Sequence, residues 1–293
     1  MPDKHRRASA KGPTPRPIAV LILTQGLPVL IAALVSLGTL GLGLRSRQTG
    51  PRLLLLALAM PLGMGAAYVT LFGVPSWPPP SSITRIPIAG LIAGALGAGF
   101  VAAGAELTRA PARWLAAATA ALIGAAYVTR IPLGRMASLD VADLLVLALV
   151  IIAPAPLCAR PFSESAVRLW LATALILATG LAVLATALPS FALATLCLAL
   201  AAGLLSTLIV QRLATGVGSI VLPGLIAMLA GLAGYLIKFT AIDLVPVALA
   251  SGVCATPWLA ERIAPRGGAW VHGVLVIGLS VVLLAAAVQF TRL

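Results

Sequence analysis

Residues 219–237 read SIVLPGLIAMLAGLAGYLI and contain no acidic or basic side chain. As an α-helix this stretch would rise about 30 Å, which matches the hydrocarbon core of a bilayer. Apolar stretches of this length are typical of transmembrane helices. Similar stretches recur along the chain, so this one decides the class of fold.

The composition of the whole chain gives the same answer. Of its 293 residues, 61% are hydrophobic and 9% are charged, and the mean hydropathy is +1.11. A soluble domain carries about a quarter charged residues, which it needs to cover its surface in water. We therefore predict an all-α, polytopic integral membrane helical bundle.

The chain divides into a tail and a single transmembrane helical domain. Residues 1–16 form a basic, Pro-containing tail that we predict to be disordered, and residues 17–293 form the domain. Ten spans are predicted. Nine is the alternative if two neighbouring spans join into one helix, either across Pro189 or across 238–243. Ten is favoured, because such a joined helix would far exceed the bilayer thickness. The ten spans are 17–43, 53–73, 87–107, 114–129, 140–158, 169–187, 190–211, 219–237, 241–259 and 269–290.

Aromatic residues support this layout. With ten spans, Tyr68, Tyr127 and Tyr235 fall on one membrane face together with Trp77, and we call this the tyrosine face. The other four tryptophans fall at the opposite face: Trp114, Trp170, Trp258 and Trp270. Amphipathic rings are enriched at both interfaces of a membrane. A count of ten spans puts the tyrosines and tryptophans at these interfaces, which supports that count.

Basic residues give a weaker indication of orientation. The loops at the opposite face carry ten arginines, whereas the loops and C-terminus at the tyrosine face carry five basic residues. The loops alone favour the opposite face as cytoplasmic, with both termini outside. The five basic residues of the tail lie on the tyrosine side, so both faces then carry ten basic residues and the rule does not decide the orientation.

Ionisable residues are absent from the middle third of every predicted span, which counts against a proton relay or a voltage sensor. Asp140 and Asp143 begin the fifth span; a capping residue with a second acid in the first turn is favoured there over a paired carboxylate site. Collectively, the polar residues of the tyrosine face would form a mixed-charge vestibule for a polar headgroup or a small anion, and the alternative is a scattered interfacial ring. The predicted vestibule consists of Asp140, Asp143, Asp243, Lys238, Arg85, Arg130, Tyr68 and Tyr127.

Two further features lie inside the predicted spans. Gln25, followed by Gly26-Leu27-Pro28, is a candidate intramembrane polar site; the helix would either unwind there or kink. Small residues recur through 90–99 in the third span, which we predict at the centre of the bundle. The sequence GAAYVT occurs twice, at 65–70 and at 124–129, which indicates either a duplicated hairpin or chance.

Three classes of function remain. The first is a permease-like transporter of a small or amphipathic solute or a lipid, and the alternative is a non-catalytic membrane subunit or assembly factor of a larger complex. A lipid-modifying enzyme is least supported, because no catalytic motif and no cofactor or metal site is found. The expected partners are the lipid bilayer and either a membrane protein or a second copy of the chain, not nucleic acid. An excess of Arg over Lys indicates the inner (plasma) membrane of a bacterium.

Overall fold

The computed structural model describes residues 18–76, 78–79, 81–102, 110–130, 164–187, 190–240 and 244–291, and these contain helices and no strand. The prediction of an all-α polytopic membrane bundle is confirmed. The helices are α1 Ile18–Arg45, α2 Thr49–Phe72, α3 Ser82–Ala102, α4 Ala110–Thr129, α5 Glu164–Ala187, α6 Phe191–Leu213, α7 Val217–Phe239, α8 Leu244–Ser251, a 3-10 segment Gly252–Ala255, α9 Thr256–Ile263 and α10 Ala269–Phe290.

Seven of these helices are long and apolar enough to cross a membrane: α1, α2, α3, α5, α6, α7 and α10. Helix α4 contains a shorter apolar stretch, Leu115–Thr129. The protein is therefore a multi-pass integral membrane protein. The tail 1–16 and the fifth predicted span, 140–158, lie outside the described residues, so the count of ten stays a prediction.

Helix α7 occupies the centre of the bundle and packs against α2, α3 and α4. Within the apolar stretch of α7, 83% of the residues are buried, whereas in that of α3 the share is 44%. The expectation that the third span is central is therefore wrong. The reason is that α3 presents small residues on one side only, while Ile92, Leu96 and Phe100 on its other side remain exposed.

Glycines set the distance between the central helices. A Cβ atom on Gly124 of α4 would overlap the carbonyl oxygen of Ala227 in α7. A Cβ atom on Gly94 of α3 would lie 2.9 Å from the carbonyl oxygen of Ala57 in α2. Lipid tails are as apolar as leucine, so helices in a membrane associate through close packing of this kind. The small-residue pattern in the sequence therefore predicted the contact surface of α3 correctly, although not its position.

Prolines within the helices pack onto glycines and do not break the chain. Pro61 of α2 and Pro223 of α7 both lie inside unbroken helices. A Cβ atom on Gly97 of α3 would lie 2.6 Å from Cγ of Pro223, and one on Gly224 of α7 would lie 3.2 Å from Cγ of Pro61. These two prolines therefore fill space that a glycine leaves open. Helix geometry is continuous at both positions.

Contacts between helices fix their relative directions. Gly124 lies against Ala227 and Val128 against Gly231, so α4 and α7 run parallel. Both helices end at the tyrosine face, where Tyr127 and Tyr235 lie. At the other end of α7, Gly218 contacts Val167, so α5 begins at the face opposite to the end of α4. Helix α8 begins shortly after α7 ends, and the contacts of Gly252 with Leu283 and of Ala264 with His272 show that α10 runs antiparallel to α8 and α9. The first turn of α10 therefore lies on that same opposite face.

The ninth predicted span, 241–259, differs from the expected single helix. Helix α8 ends at Ser251, a 3-10 segment covers Gly252–Ala255, and α9 continues from Thr256 to Ile263. Gly252 and Pro257 flank the change of geometry, and neither favours an uninterrupted α-helix. Pro246 lies in the first turn of α8.

Candidate functional site

The tyrosine face carries a chain of three hydroxyl groups. The Tyr68 hydroxyl lies 2.9 Å from Oγ1 of Thr84, and Oγ of Ser81 lies 2.5 Å from the same Thr84 atom. The backbone N–H of Thr84 also donates to Oγ of Ser81 at 3.4 Å, which caps the first turn of α3. Tyr68 and Thr84 are buried, whereas Ser81 is exposed. The chain thus connects the end of α2 to the start of α3 and reaches the surface at Ser81.

Arg85 joins the start of α3 to the end of α4. Its Nη1 donates to the carbonyl oxygen of Tyr127 at 3.4 Å, and its Nη2 donates to that of Pro79 at 3.3 Å. The guanidinium carbon lies 5.5 Å from the centre of the Tyr127 ring. A cation near the last carbonyls of a helix also interacts favourably with the helix dipole. Arg130, the residue after α4, takes a left-handed conformation with φ 57°, so the helix ends there.

Five of the eight residues of the predicted vestibule lie in the described part of the chain. Tyr68 contacts Thr84, and Tyr127 contacts the next residue, Arg85, so the tyrosines of the two GAAYVT copies hold the first turn of α3 from two sides. Arg130 is exposed and Lys238 is half-buried at the end of α7, and both have interaction partners. Asp140, Asp143 and Asp243 lie outside the described residues. A single vestibule formed by all eight residues stays a prediction.

Gln25 lies in an unbroken stretch of helix. Helix α1 runs from Ile18 to Arg45 with Pro28 inside it, so the sequence 26–28 does not unwind the chain. The Gln25 side chain is half-buried. The suggestion of unwound carbonyls at this place is wrong, because a long apolar helix keeps its internal hydrogen bonds where no water can replace them.

The interrupted ninth span brings buried hydroxyl groups to the middle of the membrane. Oγ1 of Thr256 donates to the carbonyl oxygen of Val253 at 2.8 Å, and it lies 3.2 Å from Oγ of Ser280. Since the Thr256 proton is used by Val253, the Ser280 hydroxyl donates to Thr256. Ser280 is fully buried near the midpoint of α10, and Ser251 at the end of α8 is also buried. Polar groups therefore surround the 3-10 segment at mid-depth.

These hydroxyls are not among the residues predicted from the sequence, where charged groups within the spans are the usual indicator of function. A second set lies between α1, α2 and α6: Ser36 donates to the carbonyl oxygen of Ala59 at 3.2 Å, and Ser206 lies 3.4 Å from that of Ala33. Interhelical bonds of this kind hold membrane helices together. The available signal was a serine or threonine among small residues in mid-span, which many purely structural positions share.

A shallow apolar depression opens between α3, α4 and α7. Thr119 is the one residue in its lining with a polar side chain. The depression is lined by Ala93, Leu96, Gly97, Phe100, Ala116, Thr119, Ala120, Ile123 and Pro223. This depression offers no group for chemistry.

Histidine and cysteine side chains do not form a metal centre in the described residues, where no three His, Cys, Asp or Glu side chains lie close enough to hold an ion. Nε2 of His272 lies 2.9 Å from the carbonyl oxygen of Ala264, so this histidine fastens the turn between α9 and α10. Cys197 and Cys254 are free and buried.

Comparison of the chain with protein families, with curated proteins and with solved structures finds no match.

Proposed function

We propose that the protein is a permease-like transporter that moves a small or amphipathic solute, or a lipid, across the inner membrane of a bacterium. The observation that carries this proposal is the interruption of the ninth span at Gly252–Ala255. A mid-helix stretch of 3-10 geometry often marks a functional hinge or a sequence under strain.

The interruption matters because of its surroundings. Inside a bilayer, glycine and proline are tolerated in a helix where a local 3-10 turn, Ser or Thr side chains or neighbouring helices satisfy the freed backbone groups. The side chains of Val253 and Cys254 are buried, and Thr256 and Ser280 supply hydroxyls at the same depth. Many transporters bind substrate near the midplane, where spanning helices are interrupted.

The packing of the rest of the bundle supports a moving part at this place. Helices α2, α3, α4 and α7 approach one another to backbone contact at their glycines, which forms a rigid block. In helix α10, which carries Ser280, only 17% of the residues of the apolar stretch are buried. A lightly packed helix beside an interrupted span can shift against a rigid block at little energetic cost.

Cys254 is a natural reporter for this proposal. Single-cysteine variants that keep either Cys254 or Cys197 would be reconstituted into liposomes and treated with a small, charged methanethiosulfonate reagent. We expect modification of Cys254, which lies in the 3-10 segment, and none of Cys197, which is fully buried in α6. Intact mass measures both, and detergent-denatured protein shows that each thiol can react.

If Cys254 stays as unreactive as Cys197 in the folded protein, the interrupted span lines no aqueous path and the proposal fails. If Cys254 reacts, uptake into the same liposomes is measured with pools of solutes, and lipid scrambling with fluorescent phospholipids. A solute or lipid that protects Cys254 from the reagent identifies the class of cargo.

A membrane subunit of a larger complex is the second candidate, and one observation favours it. Helix α10 leaves a continuous apolar side outside the bundle, which includes Val274, Ile277 and Val281. Purification in mild detergent from the native host, followed by sizing and mass spectrometry, tests this candidate. A stoichiometric partner that is lost when Ile277 and Val281 are replaced by alanine would support the subunit.

A further inference from the structure

The guanidinium group of Arg85 has more donors than acceptors around it. Arginine carries five N–H donors. Among the described residues, two of them bond to the carbonyl oxygens of Tyr127 and Pro79, at 3.4 and 3.3 Å, which is long for an N–H···O bond. Nε is buried and has no hydrogen-bond partner. Two Nη protons are therefore left for an acceptor from outside, and the buried Nε–H is left unpaired.

The positive charge of Arg85 also lacks a partner of opposite sign in the described part of the chain. The carboxylates described there are Glu164 and Glu261, and both lie at the opposite face. Glu164 is 3.5 Å from Arg168, and Glu261 belongs to α9, whose end contacts His272 at the start of α10. A half-buried cation is costly unless it is paired. The ring of Tyr127 offsets only a small part of that cost.

The hydroxyl chain beside Arg85 has one proton to spare. Tyr68, Thr84 and Ser81 have three hydroxyl protons, and their two mutual contacts use two of them. Ser81 is the exposed end of this chain and lies within one helical turn of Arg85. A planar guanidinium in the first turn of a helix and a hydroxyl donor on the residue just before it match the oxygens of a phosphate group.

From this arrangement we infer that Arg85 and Ser81 form a binding site for a phosphate group at the tyrosine face. Its source is either the headgroup of a phospholipid or free inorganic phosphate, since both present the same oxygens to the guanidinium. The site is built from α2, α3 and α4, whereas the interrupted span packs against α5 and α10. The inference therefore holds whether or not Cys254 lines a transport path.

The test is a thermal-unfolding titration of the purified full-length protein. Mixed micelles containing phosphatidylglycerol are compared with micelles containing diacylglycerol of the same acyl chains, and sodium phosphate is compared with sodium chloride at equal ionic strength. We expect a saturable rise of the unfolding midpoint with phosphatidylglycerol and none with diacylglycerol. A rise with sodium phosphate alone would identify free phosphate as the ligand. No saturable rise with either phosphate source overturns the inference.

Variants locate the site. Arg85→Gln should weaken the apparent affinity by about tenfold or more, because it removes charged hydrogen bonds. The matched control is Arg262→Gln: Arg262 also lies over an aromatic ring, 5.0 Å from the centre of Trp258, but it is exposed and at the opposite face. An equal loss in both variants would show unspecific attraction and overturn the inference. If Arg85→Gln does not fold, Arg85→Lys keeps the charge but loses the planar fork, and unchanged affinity in that variant overturns the inference as well.

Discussion

Gly124 and Gly65 occupy the same place in the two copies of GAAYVT, yet their surroundings differ. A Cβ atom on Gly124 would overlap the carbonyl oxygen of Ala227, whereas the nearest atom to a Cβ on Gly65 is Cβ of Pro87 at 3.9 Å. Gly124→Ala should therefore destabilise the protein by about 1–3 kcal/mol or more, since backbone must move. Gly65→Ala should be neutral or stabilise it by up to about 1 kcal/mol, because alanine favours the helix. Thermal unfolding in detergent measures both, and equal effects would show that α4 and α7 are not in backbone contact.

The tyrosine hydroxyls provide a second comparison at the scale of single residues. Tyr68 and Tyr235 both stack on a phenylalanine four residues later, with ring centres 4.8 and 5.4 Å apart. Only for Tyr68 does the described structure show a hydroxyl bond, to Thr84. Tyr68→Phe should cost about 0.5–1.5 kcal/mol of stability, whereas Tyr235→Phe should change it little. A loss as large in Tyr235→Phe as in Tyr68→Phe would contradict this placement of the hydroxyl chain.

Among the helical elements, the ninth span departs most from what its sequence predicts. Hydropathy measures only how apolar a segment is, and 241–259 is apolar enough for a single helix. Its interruption depends on partners far away in sequence, since Gly252 lies beside Leu283 and Thr256 beside Ser280, both in α10. The spacing of small residues in α3 predicted a close contact, but the central position of α7 depends on packing on several sides of the helix. Counting the spans predicts which residues lie at the tyrosine face. It does not predict the bonds that Arg85 forms there.

The contact between Thr256 and Ser280 can be measured as a coupling energy across the two elements. A double-mutant cycle with Thr256→Val and Ser280→Ala should give a coupling of about 0.6 kcal/mol, the average for hydrogen bonds between membrane helices. The control pairs Ser280→Ala with Thr179→Val, because Thr179 is exposed and bonds within its own helix, to the carbonyl oxygen of Leu175 at 2.8 Å. The control pair should be additive. Equal coupling in the two cycles would contradict a bond that joins the interrupted span to α10.

At the scale of the whole molecule, helix direction follows from the contacts without any count of spans. The end of α4 and the end of α7 lie at the tyrosine face, and the starts of α5, α7 and α10 lie at the opposite face. The contacts show two faces, but they do not show which one meets the cytoplasm. The excess of arginine in the loops of the opposite face predicts that this face is inside.

Labelling of single cysteines in intact cells tests direction and orientation together. In a variant without native cysteines, Ser81→Cys and Arg130→Cys mark the tyrosine face, and Gln48→Cys and Arg266→Cys mark the opposite face; all four positions are exposed. We expect a membrane-impermeant maleimide to label the first pair in intact cells and the second pair only after the membrane is opened. The reverse pattern would keep the helix directions and overturn the orientation, because positive charge in the tail would then outweigh that in the loops. A mixed pattern, in which one pair divides between the two sides, would contradict the helix directions themselves.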